Sequence, residues 1–395
     1  MQTASEGIVP RARVPVLLFA ISAGVMITNI FAPQTLVSLL TTAFGLDSSS
    51  GGLIAMISLL GYAAGLCFLI PLADLVENRR LVLQMLTAGA LSAAGILFAP
   101  NATTLFMLLF ILGASCSVIQ VLLPSAASMA APEQRGRVIG DIMSGLMVGI
   151  LLSRPIASFL AGTWGWKAFY VFSCTSTILL GLTLSIRLPR RQPGQNIRYS
   201  QLISSLWHLF KDESVLRHRA ISAAIVMAAF NFFWTTIVYV LEGAPFEMGQ
   251  KGIALFALVG AGGAIVTPMV GRWSDRGHGR RVTNIAHVVL MAGFVLAAVS
   301  GLVASLPVYV MLIGLGVSAL LLDMGVLGNQ TVGRYMINLL NPDARGRINA
   351  IFVATFFVGG ALGSALSGML WSVGGWGAVC AGGVVLGLVA TMSPK

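Results

Sequence analysis

The sequence predicts an all-α membrane protein with about twelve transmembrane helices arranged as two pseudo-symmetric six-helix bundles. Three observations lead there. Of 395 residues, 57% are hydrophobic and only 9% carry a formal charge, against about 25% charged in an ordinary soluble domain. A soluble core of this size needs a polar shell of Lys, Arg, Asp and Glu, and the missing shell implies that lipid covers most of the surface. Apolar runs of about 20 residues, enough to cross a bilayer, recur along the whole chain. Short polar motifs between the runs of the first half also return in the second.

The first span is expected near residues 14–40. It follows Arg11 and Arg13 and is longer than the apolar core of about 7–15 residues in a cleaved signal peptide, so it reads as a retained helix. The next five are expected near 51–73, 81–99, 103–130, 138–161 and 166–188. Leu188 to His218 is then the one long polar stretch, with Pro189, Arg190, Arg191, Pro193, Lys211, Asp212 and Glu213. Inside it, 200–210 reads as a short amphipathic helix on the membrane surface, with Leu202, Leu206, Trp207 and Phe210 on one side. Spans seven to twelve are expected near 219–241, 251–273, 282–303, 307–333, 348–372 and 376–393. The chain thus divides into an N-terminal bundle (1–188), a cytoplasmic linker (189–218) and a C-terminal bundle (219–395).

The net charge of +11 is carried in short bursts between the apolar runs, which excludes the clustered basic face that nucleic acid requires. Of the 24 Lys and Arg residues, 21 fall on one side of the membrane, Lys167 and Lys251 on the other, and Arg154 inside a span. The positive-inside bias therefore puts both termini in the cytoplasm of a multi-pass protein of bacterial inner-membrane type. Cys67, Cys116, Cys174 and Cys380 each stand alone in an apolar run, without the spacing of a metal site or disulfide framework. No phosphate-binding loop, His-Glu-x-x-His or Gly-x-Ser-x-Gly is present, so neither an enzyme nor a cofactor or metal site is expected. His208, His218, His278 and His287 read as solvated or interfacial.

The repeat is specific in its spacing. Asp74, Arg79 and Arg80 after span two return as Asp275, Arg280 and Arg281 after span eight, offset by 201. Pro132-Glu133-Gln134-Arg135-Gly136-Arg137 returns as Pro342-Asp343-Ala344-Arg345-Gly346-Arg347, offset by 210, and the same offset carries Gly165-Trp166 onto Gly375-Trp376 and Gln120 onto Gln330. Repeated six-helix halves of one orientation are the architecture of a rocking transporter with its site between the halves.

On these residues, and above all on Gly271-x-x-x-Asp275-Arg276 with Arg280 and Arg281, the chain resembles the major facilitator superfamily over essentially its whole length. The first-half copy departs from the family's loop, with Leu75 for the usual Arg and Glu77-Asn78 for the Gly. Gly145, Gly149, Ser153, Pro155 and Ser158 in span five resemble the signature of the superfamily's antiporters, although Arg154 stands where Gly is usual and span four holds no charge. The resemblance is nearest to bacterial drug and metabolite proton antiporters, including the sugar-efflux group. It implies a monomer that moves a small-molecule substrate by alternating access, with the proton as coupling ion. Efflux is the leading expectation, uptake of an organic anion or sugar by symport or uniport the alternative, and a channel or membrane-embedded enzyme the remote one. It also implies gating roles for Asp74, Arg79, Arg80, Asp275, Arg276, Arg280 and Arg281.

Within the spans, Asp323 is the one deeply placed acid. An ionisable group there costs about 2.5–3.5 kcal/mol on insertion scales and normally faces an internal cavity. A carboxyl so placed can alternate between neutral and charged forms, which proton coupling needs; its bland counterpart is a structural acid. Arg154 is its expected partner in proton or anion binding, or else a hydrogen-bonding residue beside Pro155. Asp141, four residues beyond Arg137, is expected near the cytoplasmic gate. Asn29, Gln34, Gln120, Asn231, Trp234, Tyr239 and Gln330 are candidate cavity liners, each of which can equally join helices. Glu242 and Glu247 read as solvated loop residues.

Overall fold

The computed structural model describes residues 15–191, 198–260, 262, 266–303, 305–341 and 344–392, and contains no strand among them. Helices α1 (Val16–Thr35) and α2 (Val37–Ala43) make the first crossing. They break at Leu36, whose φ of −94° and ψ of 2° leave the helical region, while Pro33 is accommodated inside α1. The second crossing, α3 (Gly51–Ala64), continues through a π turn (Gly65–Leu69) and a 3-10 turn (Ile70–Asp74). Next come α4 (Asn78–Ile96), α5 (Ala102–Cys116) with α6 (Ile119–Met129), α7 (Arg135–Trp164) and α8 (Lys167–Arg187). After α9 (Tyr199–Asp212) follow α10 (Ser214–Glu242), α11 (Gln250–Gly260) with α12 (Val266–Asp275), α13 (Gly279–Leu302), α14 (Val308–Asn338) and α15 (Arg345–Met392).

Nine helical stretches among the described residues are long and apolar enough to cross a membrane. The remaining crossings have physical reasons for escaping that criterion. Helix α4 opens on Asn78, Arg79 and Arg80, and the eighth crossing is divided between α11 and α12. Helix α15 runs for 48 residues, about 72 Å at 1.5 Å per residue, more than twice the hydrocarbon thickness of about 30 Å. It contains the eleventh and twelfth spans, joined where Gly374 and Gly375 leave the helical region. Large apolar side chains, among them Leu91, Phe98, Ile186, Ile313 and Val373, point outwards and are more than half exposed, the surface a bilayer requires.

The repeat survives in backbone detail. Gly165 ends α7 with φ +83°, and its counterpart Gly375 makes the α15 kink with φ +56°, a region glycine enters without steric cost. Gly149 and Gly359, related by the same offset, serve equivalent contacts. A Cβ on Gly149 would overlap the backbone of Gly24 in α1, and one on Gly359 would overlap that of Ala224 in α10. Such small-residue contacts let membrane helices approach at backbone distance.

The two halves touch unevenly. At the end away from the arginine-rich loops, a Cβ on Gly52 of α3 would overlap Ser364 of α15, and one on Gly162 of α7 would lie 3.0 Å from Gln250 Cβ at the start of α11. At the arginine-rich end the Cβ positions of Gly136, Gly140, Gly271 and Gly346 have nothing within 4 Å. The closest contacts between the halves therefore lie at one, joined end, and these glycines face open space at the other, more parted end.

Helix α9 forms where the sequence expects it and touches both halves: Tyr199 donates to the Phe68 carbonyl (2.9 Å) and Ser205 accepts from Arg347 (3.1 Å). Its expected apolar face needs one correction. Leu202 is buried, and Leu206, Leu209 and Phe210 pack on the core, whereas Trp207 is 67% exposed. That residue points away from the packed face, into the surroundings where an indole suits a membrane interface.

Candidate functional site

A cavity lies between the halves. Ile27, Phe31, Tyr62, Gln120, Leu146, Met147, Ile150, Leu151 and Arg154 line it from the first half. Met227, Phe230, Asp323, Val326, Leu327, Gln330, Arg334, Val353, Phe356 and Phe357 line it from the second. Helix α14 contributes Asp323, Leu327, Gln330 and Arg334 at spacings i, i+4, i+7 and i+11, which fall on one helical stripe.

Three side chains form its innermost polar group. Trp234 of α10 donates its indole N–H to Asp323 Oδ1 at 3.0 Å. The guanidinium of Arg154, from α7 in the other half, lies over the face of the same indole, 4.2 Å from the ring centroid. Phe230 and Phe31 complete an aromatic surround at 5.1 and 5.4 Å. A desolvated cation over an indole gains about 2 kcal/mol, and a hydrogen bond to a charged acceptor about 1.5–3 kcal/mol. Trp234 thus serves both charges and stands between them: no ion pair within 4.0 Å joins Arg154 to Asp323, although both are less than 10% exposed. Gly260 of α11 makes room for this group, since a Cβ there would lie 2.6 Å from the indole and 3.0 Å from Asp323 Oδ2.

From Arg154 a buried polar chain crosses the interface. Its Nε donates to Gln34 Oε1 (3.1 Å), Gln34 Nε2 donates to Asn231 Oδ1 (2.6 Å), and Ser364 donates to the same oxygen (3.1 Å). Helices α7, α1, α10 and α15 are tied by three bonds above the cavity. Arg154 Nη2 is buried with no partner.

Towards the arginine-rich end the cavity meets a second polar group. Gln120 Nε2 lies 3.5 Å from the Tyr62 hydroxyl, the Tyr62 ring packs edge-on against Phe357 at 4.6 Å, and Arg334 reaches the cavity with its Nε buried and unpartnered. Neither Arg334 nor Tyr62 is among the candidate residues of the sequence, where the tenth span is expected to end near residue 333. The signal was available: Arg334 is three helical turns from Asp323.

The other expected site residues are distributed as follows. Gln34, Gln120, Asn231, Trp234 and Gln330 are at the cavity or in the chain that closes it. Asn29 is not: it accepts from Ser173 at 2.6 Å and joins α1 to α8. Tyr239 is half-buried at the joined end, stacked on Trp371 at 5.4 Å. Asp74, Arg80, Asp141, Arg276, Arg280 and Arg281 are exposed at the parted end and Arg79 is half-buried there, with no ion pair between them. The side chain of Asp275, like residues Pro342 and Asp343 of the second repeat motif, lies outside the described residues.

Two readings are corrected. Glu242 is not a solvated loop residue; it ends α10, half-buried, and accepts from Ser38 (2.8 Å) and Gln250 (2.9 Å), linking α2 to α11 at the joined end. His287 is neither solvated nor interfacial. It is 1% exposed and its Nε2 lies 3.2 Å from Asn329 Oδ1, which also accepts from Ser222. Arg219, in the first turns of α10, is likewise buried, 4% exposed, and donates to Thr283. The last two tie α10, α13 and α14 together.

Comparison with known proteins agrees with this architecture. The sequence profile of the Major Facilitator Superfamily matches residues 16–324 and 255–393. The uncharacterized transporter YgaY of Escherichia coli O157:H7 is 34% identical over 377 residues, 95% of this chain and 93% of that one. A transporter of Streptomyces coelicolor is 29% identical over 385 residues, 96% of this chain and 87% of the other. Among solved structures, the nucleoside transporter NupG superposes with a TM-score of 0.77 over 96% of this chain and all of its own, at 16% identity. A D-xylose-proton symporter gives 0.72 over 96% and 97%, also at 16% identity. With its two repeated halves, the cavity between them and these relatives, the chain belongs to the major facilitator superfamily, a family of multi-pass membrane transporters.

Proposed function

We propose that the protein is a proton-coupled secondary transporter of a small organic solute, acting by alternating access with both termini in the cytoplasm. Residues 1–188 and 219–395 rock against each other, and 189–218 link them. The observation that carries this reading is the placement of Asp323. It is the acid of a cavity between the halves, held by Trp234 from its own half and faced by Arg154 from the other. Protonating it removes an acceptor's charge from the indole that also supports Arg154, so the proton acts on the interface that must move.

The arrangement of the ends fits a resting state open to the cytoplasm. Asp74, and by the repeat Asp275, then serve as latches that engage the opposite half only when that end closes, where a carboxylate beside a helix N-terminus gains about 0.3–1 kcal/mol. Efflux by exchange is what the glycines of α7 suggest by resemblance. Their contact with Gly24 gives them a packing duty that any coupling scheme can use, so they do not decide the direction.

The test is transport in proteoliposomes, with organic anions, sugars and lipophilic cations assayed in turn. Asp323→Asn mimics the protonated acid. It should retain solute exchange at equilibrium and lose accumulation driven by a proton gradient; uphill transport at the wild-type rate contradicts the assignment.

A further inference from the structure

We infer that the solute is an organic anion with an apolar body, held between Arg154 and Arg334, and that it moves together with the proton. The inference rests on Asp323 as the coupling acid and goes beyond it by fixing the sign of the solute's charge and hence the sign of the coupling.

The charges facing the cavity are two guanidinium groups and one carboxylate. Arg154 stands at its closed end and Arg334 towards its open end, about 16 Å along α14 from Asp323. Each has a buried nitrogen with no acceptor: Nη2 of Arg154 and Nε of Arg334. Arg154 is 4% exposed, and leaving a charged donor unpaired at such depth is costly. Arginine is the side chain suited to carboxylate and phosphate oxygens, and Asp323 does not supply them, because its carboxylate is turned to the Trp234 N–H. Between the two poles the wall is apolar and aromatic, with Phe31, Phe230, Phe356 and Phe357. An anionic group on a hydrophobic frame satisfies both features; a cation meets two like charges, and a polyol finds few partners beyond Gln120, Gln330 and Tyr62.

The coupling follows from the same inventory. The other charged or titratable groups around Asp323 are Arg154 from α7, Arg334 from its own helix and Tyr62 from α3. His287 and Arg219 serve separate bonds to Asn329 and Thr283. With Asp323 ionised it repels an incoming anion; with Asp323 protonated only the two guanidinium groups remain. A proton therefore raises anion affinity, and by thermodynamic reciprocity the anion raises proton affinity by the same factor. Exchange needs the two ligands to compete, whereas cooperative ligands are carried together.

The test reads the cavity potential without requiring the solute. Cysteine is placed at Gln330, or in a second variant at Leu327, after replacing Cys67 and Cys174, and Ser204→Cys on the exposed face of α9 is the control. Each is reacted with the anionic sulfonatoethyl and the cationic trimethylammonioethyl methanethiosulfonate, so that intrinsic thiol reactivity cancels in the rate ratio. Surface potentials of several kT correspond to an anion-to-cation ratio at least about tenfold above the control. That ratio should fall towards the control in Arg334→Gln, stay high in Arg334→Lys, and rise several-fold as the pH is lowered. In Asp323→Asn it should be high at every pH. A ratio at or below the control, or one indifferent to Arg334→Gln, overturns the anion site while leaving Asp323 as a coupling acid. An anion-preferring ratio without pH dependence instead overturns the coupled movement, together with the assignment of Asp323 on which it rests.

Discussion

The two ends of the interface between the halves are built from different chemistry. At the joined end, backbone meets backbone: Gly52 against Ser364 and Gly368 against Ser49, with Ser38, Glu242 and Gln250 bonded beside them. At the parted end, exposed arginines and carboxylates surround glycines that touch nothing. The first end is held by shape, which is lost abruptly when volume is added. The second can be held only by charges that find partners on closing. One end thus acts as a steric seal and the other as an electrostatic latch, and substitutions should affect them to very different degrees.

The largest effect is expected at the seal. Gly52→Leu leaves no way to keep α3 against α15, and overpacking of about 3 kcal/mol, roughly a hundredfold in population, should open that end. Maleimide labelling of Thr41→Cys, buried at the seal, should rise accordingly and transport should stop. If labelling stays at the parent level, the seal is held elsewhere.

A smaller effect belongs to the polar chain above the cavity. Gln34→Leu strips Arg154 Nε of its partner and Asn231 Oδ1 of one of its two donors, at about 1–3 kcal/mol for the buried donor left unmade. The closed state of that end should lose roughly tenfold in population by the same labelling, and Asn231→Leu should add little on top because the two act as one chain. Fully additive effects would show that the two bonds are independent.

Smaller again is the tether between the halves. Tyr199→Phe and Arg347→Ala each remove one exposed hydrogen bond of α9, about 0.5–1 kcal/mol, and should alter transport rate by a few-fold without changing thermal stability. At the latch, Gly136→Ala and Gly140→Ala should be harmless in the resting state and raise helix stability by up to about 1 kcal/mol, seen as an unchanged or higher melting temperature. A marked loss of stability would mean that this end is packed.

Depth in the membrane was legible in the sequence; direction around each helix was not. The apolar runs located the long apolar helices found among the described residues, and the paired motifs foretold that Gly165 and Gly375 do the same job. Counting residues from the ends of the spans put Asp323 and Arg154 deep in their helices, but only coordinates show that one indole lies between them. The tenth span is expected to end near residue 333, just before Arg334, because a charge at the edge of an apolar run looks like an end. Helix α14 continues to Asn338, and the side chain turns inward on the stripe of Asp323. The same ambiguity hid Glu242, His287 and Arg219. Each lies within a few residues of a span's polar end, where sequence cannot tell a solvated side chain from one bonded to a neighbouring helix.

The most direct test of the account is sided access to Leu327→Cys, a cavity position one turn from Asp323 on α14, in protein lacking Cys67 and Cys174. A membrane-impermeant maleimide is applied to inside-out and to right-side-out vesicles. The cavity that holds Arg154 and Asp323 should be labelled in the inside-out vesicles and protected in the right-side-out ones. Labelling from the outer face alone, or protection from both sides, would contradict a cavity sealed by the glycine end and open among the arginines.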